Sequence, residues 1–429
     1  MKSSVLLHTL QSCWKNRIPG QLIIQITDAC NARCPQCGMR VTEEFKRSRL
    51  PVDHIKRIID RAAETGIQAI SFTGGEPLLY WDDLLQLIQH AGKSGIPYIR
   101  TGTNGFLFLG SEKKGFYSRV ERIAIALADS PIRNFWISID SAVPEVHERM
   151  RGLPGVIRGI QRALPIFHGY GIYPSVNLGI NRNLAGEPPE KIMHGAADIP
   201  EMLYRKYRSG FEKFYRFVCD LGFTIVNCCY PMSIDPDDTL TGLSAVYAAT
   251  ARNPVVNFSR TEKAMIFKAL SDTIPLYRSQ IRIFTPRTSL LALYRQSVRQ
   301  GNSPYPCRGG IDFFFIPVNG HVYPCGYRGA EDMGRFETGN SVETISGSHE
   351  CHACDWECFR DPSELMGLAL DLLNKPVAAL KRLCSDHTYA RLWAEDLWYY
   401  RACGFFDGRK APEWSRMHPF SKGSFSGSE

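Results

Sequence analysis

The chain has 429 residues and a formal net charge of +8, with 44% hydrophobic and 22% charged residues. That composition is typical of a folded globular protein, and the length predicts two or three domains. The lysines and arginines are scattered among acidic residues and form no basic tract with interleaved aromatics, which argues against a nucleic-acid partner. No apolar run reaches the roughly 18 residues of a transmembrane segment. Residues 1–20 lack the pattern of a secretory signal, so we expect a cytoplasmic protein.

Short strand patterns alternate with amphipathic helical patterns in the first half of the chain, with a repeat of about thirty to forty residues. This rhythm predicts a parallel sheet with helices outside it. Six such units predict an α/β fold, a partial (β/α)6 TIM-like barrel, in which chemistry lies at the carboxyl ends of the strands. The predicted strands are 21–27, 69–75, 98–105, 135–140, 173–180 and 223–231. The predicted helices are 52–66, 81–95, 117–128, 156–167, 202–222, 261–274 and 289–300.

The sequence divides into four expected segments, with a Gly- and Pro-rich boundary at 301–306. Apolar and aromatic residues at 365–403 predict two or more helices near the C-terminus. The segments are an N-terminal extension (1–20), the barrel (21–303), a small Cys-rich β-hairpin domain (304–360), and a helical segment with a loose tail (361–429).

Fourteen cysteines occur in the sequence, and most of them cluster. In a long chain without an export signal, clustered cysteines favour metal binding over disulfides. Cys30, Cys34 and Cys37 form a C-x3-C-x2-C run directly after the first predicted strand. A tight loop lets three thiolates converge on one site, whereas a structural zinc site would need a fourth protein ligand. A [4Fe–4S] cluster on three cysteines instead leaves one iron open to an exogenous ligand.

This cysteine run resembles the signature of the radical S-adenosylmethionine (SAM) superfamily. The resemblance implies that the three thiolates hold a [4Fe–4S] cluster whose open iron is chelated by the amino and carboxylate groups of SAM. It also implies that the reduced cluster cleaves SAM and that a 5′-deoxyadenosyl radical forms. The family often has an aromatic residue just before the third cysteine, near the adenine, and this chain has Gln36 there.

A second motif, Gly74, Gly75, Glu76 and Pro77, ends the second predicted strand. It resembles the family's GGEP segment. Glycines without a Cβ let the backbone approach a ligand closely, and the resemblance implies that a carbonyl and the Glu76 carboxylate accept bonds from the ammonium of SAM. The alternative is a simple strand-ending turn, which two glycines also favour.

Polar residues at the ends of later strands complete the expected SAM site, since the family uses such residues to bind the ribose or carboxylate of SAM. Alternation along a strand points Ser138 and Asp140 to one face. The segment 147–152 is similar to a His-Asp-x-x-Arg-Gly segment of related enzymes, which implies that Arg151, less favourably Arg149, pairs with the SAM carboxylate. An ordinary surface ion pair is the alternative. The candidate cofactor-binding residues are Gly74, Gly75, Glu76, Asn104, Ser138, Asp140, Arg151 and Asn177.

A second group of cysteines lies in the C-terminal part of the chain. A predicted β-hairpin with Asn319 and Gly320 at its tip has a cysteine at each base, and a C-x2-C-x3-C run follows. This arrangement resembles the auxiliary-cluster domains called SPASM and its one-cluster relative, twitch. The resemblance implies one auxiliary [4Fe–4S] cluster, while a structural zinc ribbon fits the same thiolates. The candidate ligands are Cys307, Cys325, Cys351 and Cys354, with Cys358 as an alternative to one of them.

Cys228 and Cys229 are adjacent on the sixth predicted strand, so one of them must face the barrel interior. Cysteines that lie outside such motifs are usually core residues. A role as hydrogen donor is the alternative.

The expected function is radical SAM catalysis, in which the radical abstracts a hydrogen atom from a substrate above the barrel. Many relatives with the added cysteine domain modify peptides, so peptide modification or maturation is the first interpretation. Oxidation or modification of a small metabolite or lipid is the alternative, and a non-catalytic iron–sulfur or zinc scaffold is a third class, against which the GGEP segment argues. The short stretch before the first strand predicts no leader-binding domain. The expected partners are the substrate and an electron donor such as flavodoxin or ferredoxin.

Overall fold

The core of the structure is a partial open barrel of eight parallel strands. A computed structural model describes residues 16–37, 47–186, 200–231, 253–338 and 351–421. The strands are β1 (Gly20–Thr27), β2 (Ile67–Gly74), β3 (Tyr98–Thr103), β4 (Ile132–Ser138), β5 (Ser175–Gly179), β6 (Ile225–Cys229), β7 (Arg282–Ile283) and β8 (Phe313–Ile316). Their order across the sheet is β7-β6-β5-β4-β3-β2-β1-β8.

Helices pack on the outside of this sheet because their apolar residues recur on one face. The first of them, α1 (Val52–Glu64), buries Ile55, Ile58, Ile59 and Ala62, as the periodicity predicts. Among the described residues, no helix is both long enough and apolar enough to cross a membrane. The remaining helices are α2 (Trp81–Lys93), α3 (Phe116–Ala128), α4 (Pro144–Arg151), α5 (Val156–Gly169), α6 (Pro200–Leu221), α7 (Arg260–Tyr277), α8 (Arg287–Ser297), α9 (Glu357–Asn374), α10 (Pro376–Ser385), α11 (His387–Ala402) and α12 (Trp414–Met417).

All six predicted strands are present, with small shifts at their ends, and two further strands extend the sheet. β7 has only two residues, which is too short for a periodic pattern. β8 is the first strand of the predicted hairpin, yet it also pairs in parallel with β1, from Gln21 opposite Phe313 to Ile24 opposite Ile316. The small Cys-rich segment therefore shares the sheet of the barrel instead of forming a separate layer.

The C-terminal helices cover the edge of the sheet at β7. The main-chain N–H of Ile283 donates to the hydroxyl of Tyr399 on α11 at 2.9 Å. Asp396 on the same helix is fully buried and accepts from the N–H of Thr288 at 2.9 Å and from the guanidinium of Arg278. An edge strand leaves backbone groups unpaired, so these contacts protect the open side of the barrel.

The sequence predicts a loose tail after residue 406, and this prediction is wrong for residues 407–421. The N–H of Tyr173 donates to the carbonyl of Gly408 at 2.7 Å, and the N–H of Gly408 donates to the carbonyl of Arg133 at 2.9 Å. The segment thus packs where β4 and β5 begin, which local composition does not reveal. Residues 422–429 lie outside the described part of the chain.

Candidate active site

A cavity of about 350 Å³ lies along the inner faces of the strands and reaches their carboxyl ends. Because side chains alternate along a strand, every second residue of β3 to β6 faces this cavity. Branched apolar side chains usually fill the interior of such a barrel, but here many of the inward residues are polar. They include Ser71, Arg100, Asn134, Ser175, Asn177 and Asn227.

Cys30, Cys34 and Cys37 lie together on the wall of this cavity, in the loop after β1. The N–H of Cys37 donates to the carbonyl of Cys34 at 3.2 Å, which closes the loop into a turn. Burial raises the pKa of Cys34 to about 12, so a thiolate there calls for a compensating cation. Within the described residues no three Cys, His, Asp or Glu side chains lie close enough for a single metal ion. Three thiols on one cavity wall are the donor set that a [4Fe–4S] cluster with one open iron uses.

The glycine doublet packs directly against the loop that carries these cysteines. The N–H of Gly75 donates to the carbonyl of Thr27, and the N–H of Glu76 to the carbonyl of Ala29, both at 2.8 Å. A Cβ would lie 2.3 Å from the Thr27 oxygen if placed on Gly74, and 2.1 Å from the Ala29 oxygen if placed on Gly75. The sequence interpretation assigned the glycines to ligand approach. In the structure the end of β1 already requires them, and they line the cavity as well.

Glu76 is buried, and the protein itself binds its carboxylate. Oε1 accepts from the N–H of Leu78 at 3.1 Å, and Oε2 accepts from the N–H of Asn104 at 2.6 Å. Burial raises the pKa of Glu76 to about 7, although these donors oppose the shift. The carboxylate therefore joins the turns after β2 and β3. Its contact with the ammonium of SAM stays a prediction.

Asp140 is the centre of a buried polar cluster at the end of β4. Its two oxygens accept from Nε and Nη2 of Arg151 at 2.8 and 3.0 Å, and the amide of Gln36 donates to Oδ2 at 2.7 Å. The N–H of Asp140 donates to Nδ1 of His147 at 3.1 Å. Burial lowers the pKa of His147 to about 3, so its neutral ring accepts this bond. Arg149 is exposed, which leaves Arg151 as the arginine of the site.

The other predicted SAM-site residues also reach the cavity. The amide of Asn104 donates to Oδ1 of Asn31 at 2.8 Å and lies 3.8 Å from Sγ of Cys30. Ser138 and Asn177 are register partners on β4 and β5, so their side chains lie next to each other on the inner face. All the predicted cofactor-binding residues except Glu76 line this one cavity.

The C-terminal cysteines divide between two cavities. A second, smaller cavity is lined by Cys307, Cys325, Cys351 and Cys354. The N–H of Cys307 donates to the carbonyl of Cys351 at 2.9 Å, which holds two distant segments together. Cys358 instead lines the first cavity, with its Sγ 3.5 Å from Oε1 of Glu357. Cys358 therefore lines a different cavity from the other four candidates, although all five pack in the same apolar cluster. Trp356 lines both cavities.

Sequence reasoning missed Arg100 and Glu357. Arg100 faces the cavity from β3, and its Nε donates to the hydroxyl of Ser71. Alternation could have found it, because Arg100 lies two residues from Tyr98 on the same inner face. Glu357 begins α9, and burial raises its pKa to about 7. Nothing in the local sequence indicates that this glutamate enters the barrel.

Comparisons with known proteins find a family model that matches part of the chain. Residues 24–182 match the family model described as the Radical SAM superfamily. The chain is 23% identical over 304 residues to the AdoMet-dependent heme synthase of Oleidesulfovibrio alaskensis, a match that covers 71% of this chain and 68% of that protein. It is 30% identical over 138 residues to the PqqA peptide cyclase of Rhodopseudomonas palustris, which covers 32% of this chain and 33% of that protein.

The crystal structure of Streptococcus suis SuiB bound to S-adenosylmethionine matches with a TM-score of 0.47 and 16% identity. The match covers 75% of this chain and 64% of that chain.

Gly75→Ala should reduce iron loading at the first cysteine site. The added Cβ would lie 2.1 Å from the Ala29 oxygen, so the cysteine loop has to move. We expect a loss of about four irons per chain, the content of one [4Fe–4S] cluster, after anaerobic reconstitution. Gly169→Ala is the matched control, because nothing lies within 4 Å of a Cβ there. Equal iron contents in the two variants would contradict the role assigned to Gly75.

The raised pKa of Glu76 predicts a pH-dependent contribution to stability. Between pH 4.5 and about 7 the folded carboxyl keeps a proton that the unfolded one has lost. The stability that this group contributes therefore falls as the pH rises through that range. Glu76→Gln cannot titrate, so the difference in melting temperature between parent and variant should change between pH 4.5 and about 7. A difference that stays constant with pH would refute the assignment.

Proposed function

We propose that this chain is a radical SAM enzyme that binds a [4Fe–4S] cluster on Cys30, Cys34 and Cys37 and holds SAM beside Gly74 and Gly75. The observation that carries the proposal is that these residues and nearly all the other predicted SAM-site residues line one cavity. When bound, the cluster supplies the electron that cleaves SAM to a 5′-deoxyadenosyl radical, which takes a hydrogen atom from the substrate.

The residues of the cavity orient SAM and keep water out. Arg151 is held by both oxygens of Asp140, and in the described residues its Nη1 has no protein hydrogen-bond partner, so it is placed to donate to the carboxylate of SAM. Ser138 and Asn177 offer a hydroxyl and an amide side by side to the ribose. Aromatic walls, including Trp356, exclude water from a site where radicals form.

We also propose one auxiliary [4Fe–4S] cluster on Cys307, Cys325, Cys351 and Cys354. Support comes from the smaller cavity that these four thiols line together. Trp356 packs against Phe315 with ring centroids 6.0 Å apart and lines both cavities. This side chain would then lie between the auxiliary cluster and the main cavity. A structural zinc ion on the same thiols is the alternative, and it would require these thiols to move closer together than they are in the described residues.

For the substrate we propose a peptide, with flavodoxin or ferredoxin as the electron donor in the cytoplasm. The similarity to a peptide cyclase supports this class, although it covers about a third of each chain. A second candidate is a small molecule with an acidic group. Arg100 favours this second candidate, because its guanidinium lies in the cavity beside Ser71. Asn134 and Asn227 line the same cavity. The match to the heme synthase also extends over most of both chains.

Iron content and SAM cleavage test the two proposed clusters. The reconstituted protein should contain about eight irons, and dithionite with SAM should yield 5′-deoxyadenosine. Replacing Cys30, Cys34 and Cys37 together by Ala should abolish this product and leave about four irons. One stoichiometric zinc with about four irons in the parent would overturn the auxiliary cluster. Product formation by the triple variant would overturn the first site.

Arg100→Gln tests the second candidate, a small molecule with an acidic group. The substrate is identified by comparing the peptides and metabolites of cells that produce this protein with those of cells in which its gene is deleted. If that substrate carries an acidic group, loss of a charge-assisted bond worth about 1.5–3 kcal/mol should raise KM roughly tenfold to a hundredfold. Arg149→Gln is the control, since Arg149 is exposed. An unchanged KM in the Arg100 variant would remove the second candidate.

A further inference from the structure

Two thiols in the main cavity belong to neither proposed cluster. Cys229 is the last residue of β6, and Cys358 lies in the first turn of α9. Both line the cavity, and both form a hydrogen bond with the carboxyl group of Glu357; Sγ of Cys358 lies 3.5 Å from Oε1. We call Cys229, Glu357 and Cys358 the thiol cluster.

The thiol cluster faces the same space as the first cysteine site. Cys30, Cys34 and Cys37 line this cavity too, so a group bound there reaches Cys358 without passing through protein. Burial, reinforced by the neighbouring Glu357, raises the pKa of Cys358, which therefore keeps its S–H bond at neutral pH. A protonated thiol is a poor nucleophile. Its S–H bond is nevertheless weaker than most C–H bonds, which suits transfer of a hydrogen atom.

We propose that Cys358 is the hydrogen-atom donor of the cavity, giving its thiol hydrogen to a carbon-centred radical formed there. The inference rests on the proposed function. In the step the S–H bond breaks, a C–H bond forms, and a thiyl radical stays on Cys358. One electron from an iron–sulfur centre or flavodoxin-class donor, or from dithionite in vitro, and one proton from solvent restore the thiol. A substrate radical treated in this way regains a hydrogen atom, so the reaction class is epimerisation or another change without net oxidation of the substrate.

Other hydrogen donors around the cavity are less suited to the step. The hydroxyl of Tyr230 is held by both oxygens of Asp361, at 3.1 and 3.2 Å. Cys228 is fully buried and lies 3.7 Å from the hydroxyl of Tyr215, away from the cavity.

Cys358 is also close in the chain to the proposed auxiliary site. It follows Cys354, a proposed auxiliary ligand, by four residues, and Trp356 between them lines both cavities. A thiyl radical on Cys358 would therefore form close to the auxiliary site, whereas Cys229 lies on a strand that carries none of the proposed ligands.

Deuterium transfer in the absence of substrate tests the proposal without knowledge of the substrate. Thiol hydrogens exchange with solvent, so in D2O the parent enzyme with SAM and dithionite should release 5′-deoxyadenosine that carries deuterium. The deuterated fraction should fall below half of the parent value in Cys358→Ala. It should fall equally in Cys358→Ser, because the Ser hydroxyl keeps the shape and the bond to Glu357 but has a much stronger O–H bond. Cys228→Ala is the matched control and should keep the parent fraction.

Several results would overturn the proposal. They are a deuterated fraction unchanged by Cys358→Ala, a parent product without deuterium, or a loss of deuterium in Cys229→Ala or Tyr230→Phe that exceeds the loss in Cys358→Ala. A loss of about four irons in Cys358→Ala would make this residue a cluster ligand and overturn it as well. Absence of 5′-deoxyadenosine from the parent would instead contradict the proposed function itself.

Chemical labelling gives a readout that does not depend on turnover. Methyl methanethiosulfonate, a small neutral thiol reagent, should modify Cys358 faster than the buried Cys228, and SAM should slow the labelling of Cys358. The exposed Cys384 should react at the same rate with and without SAM. Labelling of Cys358 no faster than Cys228, or unaffected by SAM, would show that its thiol does not face the SAM cavity.

Discussion

The backbone contact between the end of β1 and the Gly74–Gly75 turn is the constraint on which the site depends. Two main-chain hydrogen bonds of 2.8 Å join these segments, and a side chain on either glycine would collide with a carbonyl oxygen. The cysteine loop begins where this contact ends, so its position is set by β2. Glu76 extends the same contact to the turn after β3 through the N–H of Asn104. Hydrogen bonds thus join three strand ends to one another.

A buried carboxylate with several donors holds the other side of the site. Asp140 accepts two bonds from Arg151 and one from Gln36, which satisfies a charge that would otherwise be costly to bury. Gln36 lies one residue before the third cysteine, where the family often has an aromatic residue. Its bond to Asp140 links the cysteine loop to β4. The departure from the family pattern therefore has a structural role here, whatever contact the adenine makes.

The C-terminal cysteine segment is built into the barrel sheet. β8 pairs with β1, and the chain then turns back so that Phe315 and Tyr323 exchange hydrogen bonds of 2.9 and 2.8 Å. This register places the second cysteine cavity beside the first, with Trp356 on both walls. Any chemistry that couples the two cavities depends on that shared strand, because it determines the distance between them.

The sequence by itself determined the alternating elements, the barrel class and the cysteine, glycine and polar motifs, because periodicity and short spacings are local properties of a chain. It also selected the four cysteines that line the second cavity. Only the tertiary structure decided that Glu76 accepts a bond from Asn104, that Arg151 pairs with Asp140, and that Cys358 lines the main cavity. These contacts join residues far apart in the chain, and their geometry follows from the packing of whole strands and helices, which no local pattern records.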